Sequence, residues 1–362
     1  MGAPRWHTVL TTLGLFVALW WTWVGFTVLY NRHGGDDWRE RVLFLVASVP
    51  VGVAAVAVKP ASHGHVAAFA VSLAMTRVLL ALGNARRDNP NTSVGGALRR
   101  RTARAFAASA VLFTASIWLP EPFTYLFWAA AYLHESRVML TSDRGPSRSA
   151  LGTEDLSVLR PEEPGVALDA HHFAERFGLF IIILLGEVVV EAGEAAADGR
   201  HLSAATWSGL VAAMVLAATF WWSYFDAAAE IDLDRLRLSG GSPAVARTIF
   251  AAGHMLPAFA LLVAAAGVGL LLRDDPVRIA YWLTCVGAGL YLAGTSSYVR
   301  SRRRHGRLVR TVALAVTYAF GVLHSVLSPP AYLWIMAAWV AGNVALAALT
   351  SRVAGSAARR RR

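Results

Sequence analysis

The chain is poor in cysteine, lysine and charge, and each shortage excludes a class of protein. Cys285 is the single cysteine of 362 residues and Lys59 the single lysine. One cysteine excludes an internal disulfide framework and every cysteine-based metal cluster. Charged residues make up 16%, whereas soluble domains carry about 25%. The sequence has no Walker loop, dinucleotide fingerprint, nucleophile elbow or zinc-protease helix, so we predict neither an enzyme nor a bound cofactor.

Long apolar runs dominate what is present. Hydrophobic residues make up 56% of the chain, and they lie in runs about as long as a transmembrane helix, roughly 17–25 residues. The sequence therefore predicts an all-α fold, a polytopic transmembrane helical bundle of about eleven spans. The predicted spans are 8–30, 42–59, 63–83, 102–119, 122–141, 172–196, 203–225, 247–272, 277–298, 309–328 and 331–351.

The basic residues predict the orientation of the bundle. The net charge is +11, but the arginines lie in short groups between apolar runs, which is typical of the edges of a membrane protein and predicts no nucleic-acid partner. Counting through eleven spans places 27 basic residues on one side and 5 on the other. The positive-inside rule then predicts a multi-pass protein of the cytoplasmic (inner) membrane with a cytoplasmic C-terminus. The lipid bilayer is its expected partner, and the oligomeric state is not indicated.

Similar segments recur about two hundred residues apart and suggest an internal repeat. Residues 19–23 resemble 220–224, and 41–44 resemble 247–250, with Pro50 and Pro257 following. We therefore predict two parallel repeats of five and six helices, ancestrally six and six. The first repeat would lack its first helix, which makes the chain N-terminally short. The predicted parts are a first repeat at 1–141, a cytoplasmic linker at 142–170, a second repeat at 171–351 and a basic cytoplasmic tail at 352–362.

Ionisable residues inside the predicted spans are candidates for function, because inserting one into hydrocarbon costs about 2.5–3.5 kcal/mol. In span 172–196, Arg176 and Glu187 lie about 20° apart on one helix face and roughly 16 Å apart along the axis. Glu191 and Glu194 continue this stripe outward, and Glu175 points about 100° away from Arg176. One interpretation is a buried polar pathway for a solute or ion. The other is a set of structural ion pairs between helices.

Three further residues are assigned to the same predicted pathway. Arg77 lies about two turns from the cytoplasmic end of its span, where it would either snorkel or meet a carboxylate. Glu135 lies in the cytoplasmic half of the fifth span. His254 and Pro257 interrupt the eighth span, and such interruptions often line a cavity.

The start of span 172–196 carries weak candidates for metal ligands. His171, His172 and Glu175 stand at i, i+1 and i+4, but a zinc site needs three or four ligands and no convincing others occur. A hydrogen-bonded cluster at the helix start is the preferred interpretation, with Asp169 capping the helix. No metal site is predicted.

The run from His172 to Phe180, continued by Leu185-Gly186-Glu187, resembles the signature of the bacterial low temperature requirement protein A family. Residues 20–32 and 221–226 are similar to the other recurring segments of that family. The resemblance covers nearly the whole chain and implies an integral membrane protein linked by name to growth at low temperature. Members usually open with a helix carrying a Glu-Leu-Phe-Phe-Asp-like motif, which this sequence lacks. The resemblance carries over no catalytic residues.

The leading functional prediction is a transporter or permease of an unidentified small solute or ion, using the Arg/Glu stripe. The alternatives are a cation channel built from six-helix repeats, and a non-transporting membrane protein for adaptation to low temperature or stress. A hydrated pore would favour the channel, and a tightly packed interior without a cavity would favour the non-transporting protein.

Overall fold

A computed structural model describes residues 6–33, 38–85, 93–120, 123–139, 167–198, 203–225, 229–295 and 304–359. These residues are almost entirely helical, and no strand occurs among them, which confirms the all-α prediction for the described chain. The helices are α1 (Trp6–His33), α2 (Trp38–Ala61), α3 (Ala67–Ala85), α4 (Ser93–Ala115), α5 (Phe123–Met139), α6 (Ala170–Asp198), α7 (Ala204–Ser223), α8 (Ala229–Leu238), α9 (Pro243–Ala246), α10 (Met255–Leu271), α11 (Arg278–Thr295), α12 (Arg304–Ala319) and α13 (Pro329–Arg359). A 3₁₀-helix follows α4 at Ser116–Trp118, a π-helix precedes α10 at Arg247–Ala252, and a second 3₁₀-helix follows α12 at Phe320–Ser325.

Every apolar run that the sequence analysis singled out overlaps a helix within the described residues. Among the described residues, five helices are long and apolar enough to cross a bilayer: Leu10–Arg32, Trp38–Ala61, Ala67–Ala85, Ala204–Ser223 and Arg247–Leu271. These helices support a multi-pass membrane protein, while the count of eleven spans and the orientation stay predictions. Most of the predicted linker, through residue 166, lies outside the described residues. The predicted tail continues α13 to Arg359.

The chain divides into two compact units. The first comprises Met1–Phe173 and Arg235–Ala251, and the second comprises Ala174–Asp234 and Ala252–Arg362. The first unit therefore holds α1 to α5 together with a segment from the second half of the chain. The division falls close to the end of the predicted linker, and the parallel five-plus-six repeat stays a prediction.

Helix α2 of the first unit places small residues inside and large apolar residues outside. In α2 the buried positions include Ala47, Ala54 and Ala57, whereas Val49 and Val56 are 63% and 79% exposed. Small side chains let helices approach closely inside a membrane, where lipid tails are as apolar as the protein. A large exposed apolar surface marks a site of contact with membrane or protein. The outward valines therefore fit a helix that faces acyl chains.

An aromatic cluster fills the interior of the first unit. The rings of Phe69 and Phe113 lie 5.5 Å and 6.2 Å from that of Trp128. The indole Nε1 of Trp128 donates to Ser116 Oγ at 2.8 Å, so its one polar atom is satisfied inside the core. This cluster joins α3, the end of α4 and α5, and it forms one side of the site described below.

In the second unit, glycines bring α10 and α11 into backbone contact. A Cβ added to Gly287 would lie 2.5 Å from Ala264 N, and one added to Gly267 would lie 2.5 Å from Thr284 N. No side chain larger than hydrogen fits at such distances. The two helices therefore pack in the manner of small-residue interfaces between transmembrane helices.

Candidate functional site

The first unit encloses an ion pair between Arg77 on α3 and Glu135 on α5. Arg77 Nε donates to Glu135 Oε1 at 3.0 Å, and Nη2 donates to Oε2 at 3.3 Å. Both side chains are completely buried, with no exposed surface. The paired donors of a guanidinium match the two oxygens of a carboxylate, so the contact is bidentate and directional.

Hydroxyl groups and aromatic rings complete the surroundings of Arg77. Its Nη1 donates to the hydroxyl oxygens of Thr22 on α1 and Thr76 on α3. The guanidinium carbon lies 5.0 Å from the centre of the Phe113 ring and 5.2 Å from that of Tyr132. Cation–π contact at such distances stabilises a charge that has lost its water. Four helices, α1, α3, α4 and α5, therefore supply the partners of one charge.

The hydroxyl of Tyr132 is the polar group of this site with the fewest hydrogen-bond partners. It is buried and has no hydrogen bond within 3.5 Å to a described residue, although it lies close enough to Arg77 and Glu135 for electrostatic interaction. A buried hydroxyl without a hydrogen bond costs about 1–3 kcal/mol. Its electrostatic interaction with the Arg77 guanidinium offsets part of this cost.

Sequence analysis singled out Arg77 and Glu135 separately, and the structure brings them together. It missed Thr22, Thr76 and Tyr132 as parts of the same site. Tyr132 stands three residues before Glu135, a spacing that puts both on one helix face, and this was the available signal. Nothing in the sequence distinguishes Thr22 from other threonines, because its role depends on how α1 crosses α3.

The Arg/Glu stripe on α6 is not buried, and that part of the prediction was wrong. Arg176 and Glu187 are both exposed, whereas Phe177 and Val188 are buried. Helical periodicity put Arg176 and Glu187 on one face correctly. The neighbouring elements instead cover the apolar face that is rotated by about 100°. A role for Arg176 or Glu187 in a pathway stays a prediction.

The outer part of the stripe differs in exposure along α6. Glu194 is exposed and Glu191 is half-buried. Glu191 packs against α10, where a Cβ added to Gly269 would lie 2.7 Å from Glu191 Oε2. The absence of a side chain at position 269 therefore makes room for the Glu191 carboxylate.

The predicted cap at the start of α6 is confirmed. The His172 backbone N–H donates to Asp169 Oδ1 at 2.9 Å, and Asn31 exchanges two hydrogen bonds of 2.9 Å with the Asp169 backbone. His171 and Glu175 are exposed, and the His172 ring lies 5.2 Å from that of Tyr30. Among the described residues no group of three His, Cys, Asp or Glu side chains is placed to hold a metal.

His254 lies at the predicted break of the eighth span, and the break is confirmed. The π-helix ends at Ala252, and His254 immediately precedes α10. The buried imidazole Nε2 shares a hydrogen bond of 2.9 Å with the Tyr224 hydroxyl. The Phe177 ring lies 5.2 Å from the imidazole. This second polar cluster belongs to the second unit.

Comparison with known proteins identifies the family. The sequence profile of the bacterial low temperature requirement A protein (LtrA) matches residues 1–348. The chain belongs to the bacterial low temperature requirement A family. The chain is similar to an uncharacterized protein of Rhizobium meliloti (strain 1021), with 25% identity over 288 residues, which cover 78% of this chain and 67% of the relative. No solved structure matches the chain.

The Arg77–Glu135 site of this chain joins two opposite charges, two threonine hydroxyls and one tyrosine hydroxyl. The net charge of the site is zero while Arg77 and Glu135 stay paired. Protonation of the carboxylate, or entry of an ion that competes for one partner, would leave a net charge buried among the helices. Such an arrangement couples the local charge to the packing of α1, α3, α4 and α5.

Proposed function

We propose that this protein is a permease of the cytoplasmic membrane whose pathway runs through the Arg77–Glu135 site. The fully buried ion pair is the observation that carries the proposal. A buried pair adds little stability compared with well-packed apolar residues of similar volume. Ionisable residues inside membrane segments instead mark substrate paths, ion paths and proton relays. Function therefore explains the pair better than folding does.

The chemistry of the site suggests how transport proceeds. In the paired state, Glu135 neutralises Arg77 and the four helices close around both. A proton or small cation that binds Glu135 weakens the bidentate contact, and Arg77 keeps its bonds to Thr22 and Thr76. The helices can then separate at the site and admit a solute. Release of the cation restores the pair and closes the pathway.

Flux measurements test this proposal. Purified full-length protein is reconstituted in vesicles that contain a pH-sensitive dye, under an imposed potassium diffusion potential. Protein-dependent proton flux is measured alone and with sodium, potassium, chloride and a panel of amino acids. We expect a flux that Glu135→Gln abolishes and that Arg137→Gln leaves unchanged, since Arg137 is exposed on the same helix. Absence of protein-dependent flux under every gradient would contradict the permease.

A non-transporting membrane protein is the second candidate, and one specific observation favours it. Neither Arg77 nor Glu135 has any exposed surface, so the pair is sealed as in a purely structural contact. The Arg77→Leu/Glu135→Leu variant separates the two candidates, because it removes both charges together. Stable folding with loss of flux supports the permease. If the variant folds stably and supports unchanged growth at low temperature, and neither the unaltered protein nor the variant shows flux, the pair has no role in transport.

A further inference from the structure

An apolar groove runs along the outer surface of α3 and α4, away from the Arg77 site. Its volume is about 800 Å³, within the range of about 300–1,000 Å³ for ligand sites. Small side chains on α4 create it, since alanine recurs where larger residues would fill the space. The walls include Val78, Leu82 and Ala85 from α3, and Ala103, Ala107 and Val111 from α4.

Charge is confined to one end of this groove. Arg104 lines it, and Arg99, Arg100 and Arg101 precede Arg104 on the same helix. Neither α3 nor α4 contains an acidic residue. Among the described residues no carboxylate pairs with Arg104. The opposite end carries Trp118, which is 76% exposed.

The dimensions of the groove match one lipid chain. At about 1.5 Å per residue, α4 rises about 15 Å between Arg104 and Thr114. This is half of the roughly 30 Å hydrocarbon thickness, so a chain anchored at Arg104 reaches the middle of the bilayer. Thr114 lines the groove at that depth, and the space continues to Trp118.

A second copy of the chain fits the groove less well than a lipid does. Copies related by an axis along the membrane normal place identical residues at the same depth. If the grooves of two copies faced each other across this axis, Arg104 would approach Arg104 of the other copy, and like charges repel. An anionic headgroup instead complements the arginines, in the manner of basic sites that bind acidic lipids at the membrane surface.

We propose that the α3–α4 groove binds an anionic phospholipid. Its headgroup phosphate contacts Arg104, and one acyl chain lies along Ala107 and Val111. The bound lipid covers an apolar surface between two helices that also carry Arg77 and its Phe113 contact. The site is distinct from the transport pathway, and it exists whether or not the protein transports a solute.

Lipid titration of the full-length protein in detergent, followed by native mass spectrometry, tests this site. The probes are phosphatidylglycerol and phosphatidylcholine with identical acyl chains. We expect phosphatidylglycerol to bind about fivefold more tightly, the effect of one arginine near a headgroup. Arg104→Gln should abolish that preference, and Arg137→Gln should preserve it. Ala107→Phe should weaken binding of both lipids, because the ring occupies the chain's place.

Four outcomes would overturn the proposal. The first is equal affinity of the unaltered protein for the two lipids, and the second is a preference for phosphatidylglycerol that survives Arg104→Gln. The third is loss of bound phosphatidylglycerol on addition of inorganic phosphate. The fourth is disulfide cross-linking between copies of an Ala107→Cys/Cys285→Ser variant. The third would assign a free anion and the fourth a second copy. If Ala107→Phe fails to fold, Arg104→Gln still decides, since Arg104 is exposed and its replacement leaves the packing intact.

Discussion

Replacing Glu135 alone should destabilise the protein more than replacing Glu135 and Arg77 together. Glu135→Leu leaves Arg77 charged and buried and removes two charge-assisted hydrogen bonds. At roughly 1.5–3 kcal/mol each, the two bonds suggest a loss of about 3–6 kcal/mol. Removal of one partner from a buried pair costs about 3–5 kcal/mol. We therefore expect a loss of about 4 kcal/mol in the free energy of unfolding.

The double variant Arg77→Leu/Glu135→Leu leaves no charge behind. Thr22 still donates to Ala18 O at 2.8 Å, and Thr76 still donates to Leu73 O at 2.7 Å. Both hydroxyls therefore keep a partner inside their own helices. We expect the double variant to lose no more than about 1–2 kcal/mol, the range for ordinary single substitutions. The two single substitutions would then be coupled by at least about 3 kcal/mol.

Reversible unfolding in mixed micelles measures the four proteins of this double-mutant cycle. Arg137→Leu is the control, because its side chain is exposed on the same helix as Glu135, and its effect should stay within about 0.5 kcal/mol. Additive losses from the two single substitutions would refute the reasoning. A Glu135→Leu protein as stable as the unaltered one would also refute it, because the Glu135 carboxylate would then contribute nothing to the burial of the Arg77 charge.

Three further substitutions test the packing of each unit. Gly287→Leu should prevent α10 and α11 from packing, so that no folded protein elutes in size-exclusion chromatography. Gly52→Leu is the control and should elute normally, because no atom lies within 4 Å of its added Cβ. Equal behaviour of the two variants would contradict the close approach of α10 and α11. Asp169→Ala removes the α6 cap and should lower stability by about 1 kcal/mol, with faster amide exchange in the first turn; unchanged exchange would argue against the cap. Trp20→Phe removes the 2.9 Å bond to Ala251 O and should cost about 1 kcal/mol in unfolding, and an unchanged midpoint would contradict that bond.

The helices and their membrane character follow from the sequence because both depend on local composition. An apolar run long enough to span a bilayer forms a helix whatever its neighbours are, since backbone groups in lipid must be paired within the segment. The same local reasoning located the cap at Asp169 and the interruption at His254. It also marked Arg77 and Glu135 as residues too polar for their surroundings.

The α6 stripe shows where local reasoning ended. Periodicity places Arg176 and Glu187 on one face with no knowledge of any other helix. Which face is covered depends on the partners, and in this fold they cover Phe177 and Val188. The apolar face is the one that small and aromatic side chains of neighbouring elements can pack against. The expectation that the most polar face turns inward therefore failed.

The sequence by itself determined the all-helical class of the described chain and the positions of its long apolar helices along the chain. These properties are sums over neighbouring residues, so no tertiary information is needed. Only the tertiary structure decided that Arg77 meets Glu135, 58 residues away, and that Thr22 and Phe113 join them. Such contacts depend on which faces of α1, α3, α4 and α5 turn toward one another, and packing of the whole first unit selects those faces.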